Sequence, residues 1–421
     1  MVTSRRRVVV TGLGVVSPLG SVVTDFWQSL CAGRSGLSLL PFLFPLPAPL
    51  SLGGQAHDFD ALDFLTFDRA VGMSRCAQML VAAGLMAVRD AGLQQKVPVD
   101  TAVCVGSAFS TQKEALAAHG ALVKAQDRPV VSGLDTDLST HLARALEVQG
   151  LCETHIQGCT ASMSAIGHGY DWIVDGHADV VVGGGTEAPF YPELVRGLAS
   201  GGWLADDAQG TIRNIPRPFD QARCGLVMSE GAGCVVLEEY SHARRRGATI
   251  YAEIEGRGST MSAETMPGVV GKEGEQAITK ALRYAGWAGT DVQYVHLTGL
   301  GLVTSDMLEA QAVKQVFGDH ASQIVIGAVT GGLGHTFGAS GVFAVITTAL
   351  VLQHQFVPPI VNLTSLDQGC ALDFVNGVGR ACRIHKSVIH NSGFGGSHVA
   401  LALSREASPD MADMAGDATR G

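Results

Sequence analysis

Hydrophobic and polar positions alternate along the chain in blocks that read as short buried strands and helices with one apolar face. Val8 to Thr11 is a buried strand, and Gly12-Leu13-Gly14 is predicted as its turn. Thr24 to Ala32 reads as a short helix. Arg75 to Gly92 carries Met79, Leu80, Ala83, Leu85, Met86 and Val88 at helical spacing and stops at Ala91-Gly92. Thr101 to Val105 is another strand, and Gly106 to Ser110 opens a predicted helix over Thr111 to Ala125. The strand Cys234 to Glu238 is followed by a basic turn from His242 to Gly247. A second set then begins at Tyr251. It has a helix over 271–286, a strand from Val292 to Thr298, helices from Ser305 to Phe317 and from Val342 to His354, and strands from Val388 to Gly396 and Ser397 to Leu403.

Both halves therefore hold strand–helix–strand units and a glycine-rich turn, which predicts an α/β protein of two halves, 1–248 and 249–405. Residues 406–421 are small and polar, with Asp410, Asp413 and Asp417, and are predicted to be disordered. Pro41 to Leu50 holds four prolines among apolar residues, too many for regular structure. It reads as a loop packed on the body or as an apolar flap at an interface.

Composition narrows the classes. Hydrophobic residues make up 46% of 421, enough for a large core. A formal charge of −10 argues against nucleic-acid binding but leaves room for a local basic patch. Nine scattered cysteines without C-x-x-C spacing predict a reducing cytoplasm and no metal site. Met1 to Arg7 is basic, but the apolar run after it meets glycines at once, unlike a signal peptide. No apolar run is expected to approach the length of a membrane span.

Candidate chemistry centres on Gly158-Cys159-Thr160-Ala161-Ser162, which lies before a helical run to Asp175 and the strand Ala178 to Glu187. A thiol at a helix start meets unpaired N–H groups that favour thiolate, so Cys159 is a candidate nucleophile able to carry an acyl group as a thioester. The residues alone leave open the other reading, a buried inert cysteine.

Taken together, Arg7-Val8-Val9-Val10-Thr11-Gly12-Leu13-Gly14, the Cys159 segment, Gly183-Gly184-Gly185-Thr186-Glu187, Arg217-Pro218-Phe219-Asp220, Glu230-Gly231-Ala232-Gly233 and Gly393-Phe394-Gly395-Gly396 resemble the β-ketoacyl-acyl-carrier-protein synthases, in family order from about residue 5 to 404. The resemblance implies a thiolase-like fold, with two similar halves in α-β-α-β-α layers, working as a dimer. It also implies no bound cofactor, and substrates carried on the phosphopantetheine of an acyl carrier protein. Cys159 matches the family's nucleophile and His335 its second histidine. Thr298 stands where the first histidine is expected, Thr330 where the lysine is expected, and Glu309 matches the glutamate. Backbone N–H groups of Cys159 and Phe394 would form the oxyanion hole, with Gly393 and Gly395 flanking the gate. His296 lies on the same strand face as Thr298 but about 6–7 Å along it, beyond the ~3 Å reach of a proton donor.

Condensation in this family needs two imidazole donors on the malonyl thioester oxygen. A site lacking one is expected to condense weakly while keeping the means to acylate Cys159. The resemblance then points most closely to a chain length factor, the ketosynthase β subunit of a bacterial type II polyketide or polyene pathway. Such a subunit pairs with a condensing ketosynthase and shapes the acyl-chain tunnel, although many chain length factors lack the cysteine. The alternatives are an acyltransferase or a ketosynthase working through Cys159, as a homodimer. Arg69, Arg75, Lys113, Lys124 and Arg128 are candidates for holding the acidic carrier protein, against ordinary surface charge. No nucleic-acid or membrane partner is expected.

Overall fold

The computed structural model describes residues 5–40, 52–71, 73–109, 137–205, 215–263 and 272–406. The proline-rich segment, the predicted helix over Thr111 to Ala125 and the tail from 407 lie outside these residues, as do Lys113, Lys124 and Arg128.

Among the described residues, eleven strands form one sheet. In chain order they are β1 (Val8–Val16), β2 (Ala102–Ser107), β3 (Cys152–Ile156), β4 (Val180–Glu187), β5 (Gly231–Glu239), β6 (Ala252–Met261), β7 (Tyr294–His296), β8 (Val325–Gly327), β9 (Asp373–Phe374), β10 (Lys386–Gly393) and β11 (Ser397–Ser404). Their spatial order is β9-β8-β7-β10-β11-β6-β1-β5-β4-β2-β3. Outward from β1, the pairings with β5 and β4 are antiparallel, and those of β2 with β4 and β3 are parallel. Outward from β6 the pattern repeats: β11 and β10 are antiparallel, then β7 and β8 parallel. The two halves are thus built alike. They meet where Val8, Val9 and Val10 of β1 pair with Ile254, Glu253 and Ala252 of β6.

Helices supply three further layers. α1 (Arg75–Asp90) and α2 (Asp137–Leu146) cover the outside of the first half. α3 (Ala161–Val174) and α6 (Ser340–His354) pack against each other between the halves. α4 (Glu273–Ala285) and α5 (Val303–Phe317) cover the second half, with α4 against β6 and β11. α6 is apolar all round because both its sides meet protein, as expected for a helix in a middle layer. The apolar stretch Phe337–His354 does reach membrane-spanning length, contrary to expectation, but 89% of it is buried inside the fold.

Gly12-Leu13-Gly14 is not a turn; β1 runs through it and is buried along its whole length. The glycines serve helix packing. A Cβ on Gly12 would sit 2.2 Å from the Ala87 carbonyl oxygen, and one on Gly14 1.9 Å from that of Ala83, both on α1. The basic turn predicted from His242 to Gly247 is mostly helix, Tyr240–Arg245, started by the Glu239 carboxylate accepting from the His242 N–H. The strand predicted to reach Thr298 ends at His296, leaving Thr298 in the following loop.

Candidate active site

Cys159 lies in a 3-10 turn, Gly158–Thr160, that feeds α3, as predicted. Gly158 takes a left-handed φ of +55°, which lets β3 reverse sharply into that helix. Ties from the second half hold the turn. The Ser340 hydroxyl donates to the Cys159 carbonyl at 2.9 Å, Ser162 Oγ accepts from the Val342 N–H at 3.0 Å, and Thr160 Oγ1 lies 3.0 Å from Ser397 Oγ.

His335 Nε2 stands 3.2 Å from Cys159 Sγ, so the structure joins the two residues matched to the family's nucleophile and second histidine. The turn carrying His335 is fixed by Glu187 at the end of β4. This carboxylate accepts from the backbone N–H groups of Ala108 at 2.7 Å and Gly338 at 3.2 Å. Burial pushes the Glu187 carboxyl up to about 7, against the pull of those donors. Phe337, whose ring packs 4.6 Å from that of His335, holds a left-handed φ of +42°.

Electrostatics reverse one expectation. Burial raises the Cys159 thiol from an ordinary value near 9 to about 12, although the N–H groups of Phe394 and Cys159 itself oppose it. That rise corresponds to about 4 kcal/mol, against roughly 0.3–1 from a helix terminus, so burial wins and the resting group is a thiol. Burial likewise lowers His335 to about 3, with the Glu309 charge opposing. The pair is therefore neutral thiol and neutral imidazole at neutral pH. The His335 tautomer protonated at Nδ1 would present the Nε2 lone pair to the sulfur. That tautomer is the one placed to accept the thiol proton. Phe394 is half-buried with its ring 4.9 Å from Trp203, and Gly395 beside it is exposed with φ +89°. A Cβ on Gly393 would approach the Cys159 N–H nitrogen to 3.4 Å. The Gly393 backbone therefore lies against that of Cys159, and the Phe394 N–H faces the sulfur.

The remaining matched positions do structural work. The Thr298 hydroxyl accepts from the Ser392 N–H at 3.0 Å and from Asn391 Nδ2 at 3.4 Å, and its own N–H donates to Glu309 Oε1 at 3.1 Å. The Thr330 hydroxyl donates to the Thr298 carbonyl at 3.2 Å and to the Gly299 carbonyl. Both threonines are buried. Glu309 also accepts from the Gly299 N–H at 2.9 Å.

Two residues the sequence reasoning missed complete this cluster. His390 Nδ1 lies 3.2 Å from Glu309 Oε1, and His390 Nε2 lies 3.1 Å from His398 Nδ1. The two rings stack at 5.3 Å. Burial pushes the Glu309 carboxyl up, but the hydrogen bond and charge of His390, with the N–H groups around it, outweigh burial and hold it below the usual carboxylate range. The available signal was a histidine and an asparagine inside an otherwise apolar strand, Val388-Ile389-His390-Asn391.

His296 meets Tyr294 Oη at 2.9 Å through Nδ1, and burial lowers it to about 4. It lines, with Thr298, Thr330, His390 and Asn391, a cavity with room for roughly one water. Among the described residues no hydrogen bond links His296 or His390 to Cys159 or His335. Of the proposed carrier-protein contacts, Arg69 is exposed, but Arg75 is committed to Glu230 by two bonds of 2.8 and 2.6 Å and is not free surface charge.

Comparison with known proteins agrees with this geometry. Residues 5–243 match the β-ketoacyl synthase N-terminal domain and residues 251–364 its C-terminal domain. The 3-oxoacyl-[acyl-carrier-protein] synthase 2 of Coxiella burnetii is 33% identical over 414 residues, covering 95% of this chain and 99% of that protein. Among solved structures, the ishigamide ketosynthase/chain length factor superposes with a TM-score of 0.86 at 30% identity, covering 96% of this chain and 100% of that one. A type II polyketide ketosynthase, bound to a hexaketide and in complex with its acyl-carrier protein, superposes at 0.85 with 27% identity, covering 95% and 100%. The fold is thiolase-like, with the layered halves described above. Nucleophile turn, facing histidine and matched domains lead to one statement: this chain belongs to the β-ketoacyl synthase family of fatty-acid and type II polyketide biosynthesis.

Proposed function

We propose that the chain is a chain length factor. In this reading it is a cytoplasmic subunit that pairs with a condensing ketosynthase, shapes the tunnel for the growing acyl chain and itself condenses poorly. The observation that carries this is the fate of Thr298 and Thr330, whose hydroxyls are spent on backbone and framework groups. Neither offers a cationic donor to an enolate. Losing one preorganised donor of this kind costs about 2.7–4 kcal/mol, or roughly 10²–10³ in rate. The structural likeness to a ketosynthase/chain length factor supports the pairing. The relatives' printed names support substrates carried on acyl carrier protein.

A second reading rests on the 3.2 Å contact between His335 and Cys159. An acyl group could pass from the carrier's thioester to Cys159 as His335 takes the thiol proton and returns it to the departing carrier thiolate. The chain would then be an acyltransferase or a ketosynthase.

The test is co-expression with a homologous ketosynthase that carries the cysteine and both histidines, followed by assay of carbon dioxide release and chain extension on malonyl carrier protein. We expect a stable heterodimer that extends chains, an isolated chain at least about 100-fold slower, and little change on Cys159→Ala in this chain. Loss of extension in that variant would favour the second reading. Brisk extension by the isolated chain would defeat the first.

A further inference from the structure

Three side chains able to bind a metal meet on the core face of the sheet's outer edge, away from the acyl site, and a fourth, His168, adjoins two of them. Cys104 on β2 and Glu153 on β3 are partners across a parallel ladder, so they project to the same face. His155 is two residues after Glu153 and shares that face. α3 crosses above and brings His168 down onto them. The ligand atoms of Cys104, Glu153 and His155 all lie within 4.8 Å of one another. His155 Nε2 is 3.5 Å and His168 Nε2 is 3.4 Å from the same atom, Glu153 Oε2. The two imidazoles are 5.2 Å apart, and His168 is braced edge-on by Trp172 at 5.0 Å.

These spacings can be set against coordination chemistry. In a tetrahedral zinc site with bonds of about 2.0–2.3 Å, neighbouring ligand atoms stand roughly 3.3–3.8 Å apart. The two imidazole–carboxylate distances already equal such edges. Bringing Cys104 Sγ into the same figure needs movement mainly of the other three side chains. Those of Glu153, His155 and His168 are 49%, 23% and 38% exposed and have room to turn. The donor set of one thiolate, two imidazoles and one carboxylate suits a borderline cation and excludes hard ions that demand oxygen ligands. We propose that Cys104, Glu153, His155 and His168 form a four-coordinate Zn²⁺ site that clamps β2, β3 and α3 together just ahead of the Cys159 turn. On binding, the Cys104 sulfur–hydrogen bond gives way to a sulfur–zinc bond, and the proton leaves to buffer. No local spacing announced the site, because its ligands come from three separate elements.

The experiment uses the full chain stripped with chelator. Zn²⁺ is titrated against a chromophoric competitor, and Co²⁺ serves as a spectroscopic probe. We expect one metal per chain, intense visible absorption of tetrahedral Co²⁺, and a thiolate-to-cobalt charge-transfer band. His155→Ala and His168→Ala should each weaken binding more than the ~10–100-fold typical of disturbing a ligand's supporting shell. Cys104→Ser should remove the charge-transfer band. Cys104 is fully buried, so the His168 variant, at a partly exposed position and with its fold checked by circular dichroism, is the safer arm. Cys159→Ala should keep both stoichiometry and spectrum. Substoichiometric metal, unchanged binding in both histidine variants, or a charge-transfer band that disappears in Cys159→Ala would each overturn the proposal.

Discussion

The turn carrying Cys159 and the loop carrying Thr298 stand in opposite halves of a repeated architecture, yet they have been used differently. At the first, every polar contact serves to aim a reactive atom. Ser340, Ser162 and Thr160 hold the backbone, Glu187 holds the opposing turn, and the result is a thiol 3.2 Å from an imidazole. At the second, Thr298, Thr330, Asn391, Ser392, His390 and Glu309 bond mainly to one another and to nearby backbone in the interior, with one link outward, from Asn391 Nδ2 to Ser340 Oγ at 3.2 Å. One region presents a thiol to an imidazole, and the other ties its matched positions into the framework. The difference teaches that a matched motif position is informative only once the partners of its side chain are known.

Substitutions that leave the Asn391–Ser340 link intact should therefore separate, with chemistry lost from the first region and stability from the second. The largest effect is expected from Cys159→Ala, which should abolish any acyl adduct seen by intact-protein mass spectrometry after incubation with acyl carrier thioester. An adduct that persists would place the reactive group elsewhere. Next, His335→Ala should slow acylation about 10²–10⁴-fold, the usual worth of a positioned general base, with urea stability little changed. Glu309→Gln should do the converse. Hydrogen bonds to a charged acceptor are worth about 1.5–3 kcal/mol, so the loss of the Glu309 charge should read as a lower urea midpoint, while acylation of the folded fraction continues.

Titration sharpens the same contrast. The Cys159 thiol is raised to about 12, so thiolate is scarce at neutral pH. Alkylation by iodoacetamide should climb about tenfold per pH unit from 7 to 9. A plateau by pH 8 would contradict the burial argument. The histidines act on stability with a definite sign. His335 is neutral in the fold with a value near 3 and would titrate near 6.5 when unfolded. Between those limits the unfolded chain binds the extra proton, so stability falls as pH drops from about 6.5 towards 3, and His335→Gln should flatten that fall. The smallest effect is expected from Thr298→Val. It strands the Ser392 N–H and should cost about 1–3 kcal/mol by chemical denaturation without altering acylation.

Much of this was legible in the residues, and the misses have physical causes. The alternation of blocks gave the two halves, and the Cys159 and His335 segments were legible because each is a local run around one residue. His390 and His398 escaped because they meet through the β10–β11 register, which pairs Ser392 with His398 and brings the rings together diagonally. No spacing along the chain encodes that. Thr298 was read as a lost donor, but its new employment depends on an N–H contributed by Ser392, 94 positions away. Gly12 and Gly14 were misread because glycine signals either a bend or a close neighbour, and only the position of α1 decides between them. The thiolate expectation failed because a sequence shows that a helix begins at Cys159 but not how dry its surroundings are.

The seam of β1 against β6 and the apposition of α3 with α6 bear on how the molecule comes apart. The two central helices pack on each other as well as on strands, and β1 pairs directly with β6, so neither half owns a complete interior, and a cut in the connector at 246–250 would leave two pieces with raw edges. Calorimetry should accordingly record one melting event rather than two, and a soluble, folded fragment 1–248 should not be recoverable. An architecture that grew by repetition has in this way become indivisible.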